Sequence, residues 1–138
     1  MDSEDISIVS KKERESKEIT PLSYTFYNNI KIYLQELENE IIKCNPRSKE
    51  ALMLSDELNT SIGRIKDIFF LRKNKLFVMV AQASSADMIN SPHKNYNRLL
   101  PEEKRLYESL TQSGKNLKTE LLDPVISSNN EGKKNFIA

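Results

Sequence analysis

Apolar residues between positions 21 and 122 recur at steps of three and four, which is the spacing of amphipathic helices. The first stripe comprises Tyr27, Ile30, Leu34, Leu37, Ile41 and Cys44, and it ends before Asn45 and Pro46. The second begins near Ser48 and comprises Leu54, Leu58, Ile62, Ile65, Phe69, Leu76, Val80 and Ala83. The third follows Pro101 and comprises Leu106, Tyr107, Leu110, Leu117 and Leu121. This pattern predicts an all-α fold, a bundle of four or five helices with one long central helix.

The second stripe is long for a small domain. An unbroken helix over residues 48–86 would extend about 58 Å at 1.5 Å per residue. We therefore expect a kink or break near Gly63 or near Lys73 and Asn74. Residues 76–80 are apolar enough to form a strand instead, but helix is favoured because no similar partner strand occurs elsewhere.

The two ends of the chain are more polar than the middle. We expect residues 1–20 to form a flexible N-terminal segment, or at most a frayed helix, and residues 123–138 to form a flexible C-terminal tail. The helical domain is then residues 21–122. Residues 84–98 are rich in turn formers and predict a connecting loop, in which His93 is exposed and has no assigned role.

Composition narrows the function further. The 138 residues carry a net charge of +1, with 21 basic and 20 acidic side chains, so any nucleic-acid role needs a local patch. The single cysteine, Cys44, cannot form a disulfide within the chain, so we expect a reducing compartment. We expect its side chain to be buried as a small apolar group. No apolar run is long enough to span a membrane, and the acidic start does not resemble a secretory signal, so we expect an intracellular protein without membrane contact.

Sequence motifs for catalysis are missing. The three glycines are too scattered for a phosphate-binding loop, and no triad, metal-ligand spacing or nucleophile motif occurs. Glu102 and Glu103 lie where the last helix begins. We attribute their presence there to the favourable interaction of carboxylates with the positive end of the helix dipole. We expect no enzyme activity, no cofactor and no metal.

The central helix also carries apolar residues away from its main stripe, which predicts burial against a partner subunit. A small bundle around a central helix is the equally weighted alternative. The predicted interface residues are Ile68, Phe70, Leu71, Phe77 and Met79. The same helix carries a predicted basic patch, which comprises Arg64, Lys66, Arg72, Lys73 and Lys75. A solvated or subunit-facing surface, with long side-chain stems covering apolar neighbours, is the favoured interpretation of this patch, and contact with nucleic-acid phosphates is the other.

Residues 65–76, the polar break after them and the Leu100-Pro101-Glu102-Glu103 helix opening with Tyr107 close behind resemble the helical A domain of GINS subunits. The resemblance covers residues 24–122 and rests on short motifs. It implies a non-catalytic scaffold subunit of a four-subunit complex that joins the MCM helicase to a RecJ-like or related partner in DNA replication.

The resemblance also implies other GINS-type subunits as partners, in a homo- or hetero-oligomer, with at most weak DNA contact. The compartment would be an archaeal cytoplasm or a eukaryotic nucleus. GINS subunits usually carry a β-rich B domain, and neither end of this sequence has room for one, so we expect an A domain alone. The alternatives are a small helical nucleic-acid-binding protein that uses residues 64–75, and a coiled-coil adaptor with no replication role.

Overall fold

The computed structural model describes residues 1–83 and 93–127, and the predicted all-α bundle with one long central helix is confirmed in these ranges. The α-helices are α1 (Ser3–Glu15), α2 (Phe26–Lys43), α3 (Lys49–Ala83) and α4 (Pro101–Leu117). A short 3-10 helix, Tyr96–Arg98, precedes α4, and a π-helical turn, Lys118–Leu122, follows it. The part of the chain that the structure describes contains no β-strand.

The central helix α3 is continuous over 35 residues, or about 52 Å. The expected break near Gly63 or Asn74 is therefore wrong, and residues 76–80 are helical as favoured. Packing explains the length, because α1, α2 and α4 all contact α3, and tertiary contacts outweigh the low helix propensity of a single glycine.

The N-terminal segment differs from the expectation of a flexible end, because it contains α1. A capping box begins this helix: the Asp5 backbone N–H donates to Asp2 Oδ1, and the Asp2 N–H donates to Asp5 Oδ2, each at 3.0 Å. The buried side of α1 carries Ile6, Ser10 and Glu13. Two of these three side chains are polar, so the apolar pattern did not reveal the helix.

Two apolar clusters form the core along α3. The first joins α1, α2 and α3 and contains Ile6, Phe26, Ile30, Tyr33, Leu37 and Ile68. The second joins the segment after α1 to α3 and α4 and contains Ile19, Leu76, Met79, Leu99 and Tyr107. Between Ile68 and Leu76, one turn from each on the same side of α3, lies Arg72.

Residues with specific capping or helix-breaking properties lie at the end of α2 and at the starts of α3 and α4. Cys44 ends α2 next to Asn45 and Pro46, and it is half-buried rather than buried as predicted. The backbone N–H of Ala51 donates to Ser48 Oγ at 3.1 Å, so Ser48 caps the start of α3. At the start of α4, Pro101 occupies the first turn, where its missing N–H costs little.

The predicted connecting loop lies partly outside the described residues, which lack positions 84–92. Within its described part, His93 is buried rather than exposed, and Tyr96 begins the 3-10 helix. The predicted flexible tail is helical over residues 123–127, and the rest of it lies outside the described residues.

Candidate functional site

The most strongly bound side chain is Arg72, which is 1% exposed in the middle of α3. Its Nε and Nη2 donate to the two carboxylate oxygens of Glu103 on α4, at 2.9 and 2.7 Å. Its Nη1 donates to Glu13 Oε1 on α1 at 2.7 Å. The planar guanidinium therefore ties α1 and α4 to α3, with the paired hydrogen bonds that arginine makes to carboxylates.

Backbone carbonyls complete the shell of Arg72. Its Nη1 donates to the carbonyl of Thr20 at 2.6 Å, and its Nη2 donates to the carbonyl of Arg98 at 3.2 Å. These two carbonyls belong to the segments that follow α1 and precede α4. One side chain thus fixes both connections, and all three of its nitrogens have partners.

Glu13 is fully buried and binds a second cation. Lys75, one turn after Arg72, donates from Nζ to Glu13 Oε2 at 2.6 Å, to the Glu13 carbonyl and to the Glu18 carbonyl. The Thr20 hydroxyl and backbone N–H also donate to the Glu13 carboxylate, at 3.0 and 3.2 Å. We call Glu13, Arg72, Lys75 and Glu103 the charge cluster.

The charge cluster is electrically balanced, with two cations and two carboxylates. Burial alone would lower the pKa of Arg72, but the hydrogen bonds and charges of Glu103 and Glu13 outweigh it and raise that pKa above its ordinary value. The guanidinium remains charged at every pH at which the protein folds. Because an unpaired buried charge is costly, the cluster specifies how α1 and α4 pack on α3.

The charge cluster corrects the predicted basic patch. Arg72 and Lys75 are used inside the fold, so they are not available as a surface for nucleic acid. Of the other three cations, Lys66 is exposed, and Arg64 and Lys73 are half-buried. The five cations therefore do not form one surface patch.

Neither carboxylate of the charge cluster was predicted from the sequence as a site residue. Glu13 lies in the segment that was expected to be flexible, and its partner Arg72 is far away in sequence. Glu103 was attributed to the helix dipole, yet it also accepts a hydrogen bond from the Leu100 backbone N–H at 2.7 Å. The available signal was the spacing of Ile6, Ser10 and Glu13, which places all three on one side of a helix.

The predicted interface residues also separate into two groups. Ile68 and Met79 are buried in the chain's own core, so the structure removes them from any subunit surface. Leu71 is half-buried. Phe70 and Phe77 are 51% and 46% exposed, although both rings are large and apolar.

These two rings define an outer face of α3, which comprises Lys66, Phe70, Lys73 and Phe77. The spacing of four, three and four residues places them on one side of the helix, opposite the buried Ile68 and the charge cluster. Lys73 Nζ lies 4.9 Å from the centre of the Phe70 ring, within the range of a cation–π contact. The outer face thus combines exposed aromatic rings with positive charge, a composition suited to binding another protein.

A groove of about 240 Å³ lies beside His93, and four of its titratable lining residues already have partners, namely Glu18, Lys75, His93 and Lys94. His93 Nε2 lies 2.5 Å from Gln82 Oε1, and Nδ1 accepts the Asn95 backbone N–H at 3.1 Å. Lys94, on the rim, pairs with Glu18 at 2.6 Å. These contacts hold the start of the 93–100 segment against α3 and the segment after α1.

No group of three or more histidine, cysteine, aspartate or glutamate side chains within residues 1–83 and 93–127 could hold a metal ion. In the same ranges, no helix combines the length and apolar character that a membrane span requires. Comparison with known protein families, curated proteins and solved structures found no match to this chain.

Proposed function

We propose that this chain is a non-catalytic scaffold subunit of a GINS-like complex that bridges the replicative MCM helicase and its partners in DNA replication. The observation that carries the proposal is the outer face of α3. Phe70 and Phe77 remain exposed on the most central helix of the bundle, while the opposite side of the same helix is fully packed. Large exposed aromatic residues on a rigid helix are typical of protein-binding surfaces.

The charge cluster adds support for the GINS-like assignment. Residues 65–76 and residues 100–107 are the two stretches that resemble GINS A domains. Arg72 in the first and Glu103 in the second are joined by two hydrogen bonds, so the two stretches form one structural unit. Their joint occurrence then has a physical reason, because each motif supplies one half of a buried ion pair.

Other GINS-type subunits are the proposed occupants of the outer face, and the MCM helicase and a RecJ-like protein are the proposed wider partners. Such a role places the chain beside the chromosome, in an archaeal cytoplasm or a eukaryotic nucleus. Lys66 and Lys73 would meet acidic side chains at the rim, where charge improves association rate and selectivity more than affinity.

The proposal is tested by co-purification. The tagged chain is co-expressed with the GINS-type subunits, the MCM helicase and the RecJ-like protein of its source organism, and the complexes are separated by size. The wild-type chain should co-elute with at least one GINS-type subunit. A variant with both Phe70→Asp and Phe77→Asp should lose that subunit, because charge on the outer face opposes apolar burial.

Ile42→Asp is the matched control, because Ile42 is an exposed aliphatic side chain on α2. All variants are checked for native helix content by circular dichroism. Failure of the wild-type chain to bind any of these proteins, or unchanged binding by the Phe70 and Phe77 variant, would contradict the proposal.

The nucleic-acid alternative has weaker support, because the charge cluster uses two of its five cations. It makes a different prediction for the same samples. Binding to DNA or RNA that falls steeply with salt, and that Lys66→Glu with Lys73→Glu abolishes, would favour it over the scaffold.

A further inference from the structure

We call residues 115–127, the end of α4 and the helical residues after it, the extension. It has an apolar side that the described part of the chain does not cover. The large exposed apolar residues of this extension are Leu117, Leu121, Leu122, Val125 and Ile126. Leu121 is 64% exposed. The π-helical turn in the extension packs on α4, the helix that it continues.

This apolar side continues the packed side of α4. Tyr107 is buried against α3, and Leu110 packs on the same cluster. Leu117 and Leu121 prolong the spacing of three and four residues, so the sequence predicts that they are buried. They are exposed because the extension runs past the helices that cover the start of α4. The stripe therefore has the pattern of a packed helix without its packing partner.

The π-helical turn has a local cause. Pro124 has no N–H, and in a regular α-helix its ring would clash with the carbonyl of Glu120. A wider turn relieves that contact, and the backbone N–H of Asp123 donates to the carbonyl of Lys118, five residues earlier. The helix thus continues past the proline and keeps Val125 and Ile126 in the extension.

We propose that this apolar side binds the same segment of a second copy of the chain, as an antiparallel helix pair. The charges specify this occupant. Lys115 and Lys118 lie at the beginning of the segment, Glu120 and Asp123 lie further along, and the two signs balance. In an antiparallel pair the basic end of each helix meets the acidic end of the other, whereas a parallel pair would place like charges side by side.

The apolar residues fit the same arrangement. With the twofold axis near Thr119, Lys115 of one copy lies opposite Asp123 of the other, Lys118 lies opposite Glu120, and Leu117 lies opposite Leu121. The helix dipoles are also opposed, which favours the antiparallel orientation. Because one helix from each copy forms the contact, its area lies at the low end for protein interfaces, below about 1,200 Å². The dimer is therefore weak.

Sedimentation equilibrium of the full chain over about 5 to 500 µM tests the pairing. The wild-type mass should rise with concentration from 15.9 kDa toward twice that value. Leu117→Glu with Leu121→Glu should keep the chain monomeric and folded. Ile42→Glu, which changes an exposed aliphatic residue on α2, is the matched control and should leave the dimer intact.

Charge exchange tests the identity of the partner. One variant carries Lys115→Glu and Lys118→Glu, so its segment is acidic, and the other carries Glu120→Lys and Asp123→Lys, so its segment is basic. Each alone should stay monomeric at concentrations that dimerise the wild type. An equimolar mixture should recover the dimer, because each segment then meets the opposite charge in the other chain.

The pairing is overturned by a wild-type mass of 15.9 kDa at every concentration. It is equally overturned if the dimer survives Leu117→Glu with Leu121→Glu, or if the mixture of charge variants remains monomeric. The pairing is independent of the GINS-like function, because that function uses the outer face of α3. A self-association that Phe70→Asp removes and Leu121→Glu does not would contradict the pairing and leave the outer-face proposal intact.

Discussion

The two ends of α4 have the same apolar pattern and opposite surroundings. At its start, Glu103 binds Arg72 on α3 and Tyr107 enters the core. At its end and in the rest of the extension, Leu117 and Leu121 are exposed. The start is held by a buried ion pair as well as by apolar contacts, and the end has neither among residues 1–83 and 93–127.

This difference shows what an apolar stripe specifies. The stripe says which side of a helix avoids water, but it does not say whether the cover comes from the same chain or from another. The charge cluster joins α1 and the start of α4 to α3, whereas Leu117 and Leu121 further along are exposed.

Among the substitutions that test this comparison, loss of Arg72 should lower the unfolding free energy most. Arg72→Ala leaves Glu13 and Glu103 without their shared cation, and breaking a buried ion pair costs about 3 to 5 kcal/mol of unfolding free energy. Urea unfolding followed by circular dichroism measures the loss. Arg105→Ala, on the exposed side of α4, is the control and should change stability by less than about 0.5 kcal/mol. Equal stability of the two variants would show that the charge cluster does not hold the bundle.

A smaller effect is expected from Glu103→Gln, which keeps the shape of the side chain and removes its charge. Glu103 is partly exposed and Arg72 retains Glu13, so the expected loss is about 1 to 2 kcal/mol. Glu102→Gln is a matched control, because the Glu102 side chain is exposed and lies in the same first turn of α4 as Glu103. In hydrogen exchange, Glu103→Gln should speed exchange at the start of α4 relative to this control. A larger loss from Glu102→Gln would contradict the assigned role of Glu103.

The smallest expected effect is the pH dependence of stability that comes from His93, in the segment before α4. Burial, and then the nearby charge of Lys94, hold the pKa of His93 below its ordinary value of 6.5. The unfolded chain therefore binds a proton more readily, and stability falls as pH drops below about 6.5. Protonation also removes the acceptor at Nδ1 that binds the Asn95 N–H. Between about pH 7.5 and 5.5 the urea midpoint of the wild type should fall more than that of His93→Gln. If the urea midpoints of the two proteins change equally with pH, this prediction is contradicted.

Much of the fold could be predicted from the sequence, because it depends on local periodicity. The stripes over α2, α3 and α4 indicated helices, and Pro46 and Pro101 marked their boundaries. The helix α1 was expected at most as a frayed helix, because its buried side carries Ser10 and Glu13, and polar residues on a buried side do not produce an apolar stripe. The expected break in α3 was wrong, since packing along the whole helix outweighs local propensity.

The candidate site was less predictable, because it depends on contacts between residues far apart in sequence. Arg72 looked like a surface cation until the positions of Glu13 and Glu103 were known. Ile68 and Met79 looked like interface residues because the packing of α1 on Ile68, and of the segment after α1 on Met79, was not expected. Phe70 and Phe77 lie off the main stripe and are exposed. Their place in an interface stays a prediction.

The solution mass of the purified chain, measured by light scattering over a range of concentrations, alone and with its GINS-type sister subunits, tests most directly whether the exposed apolar faces bind protein. Self-association at high concentration, together with a larger stable complex in the presence of a sister subunit, is the predicted result. A mass of 15.9 kDa under every one of these conditions would contradict the account, because the outer face of α3 and the C-terminal extension would then have no protein partner among those proposed.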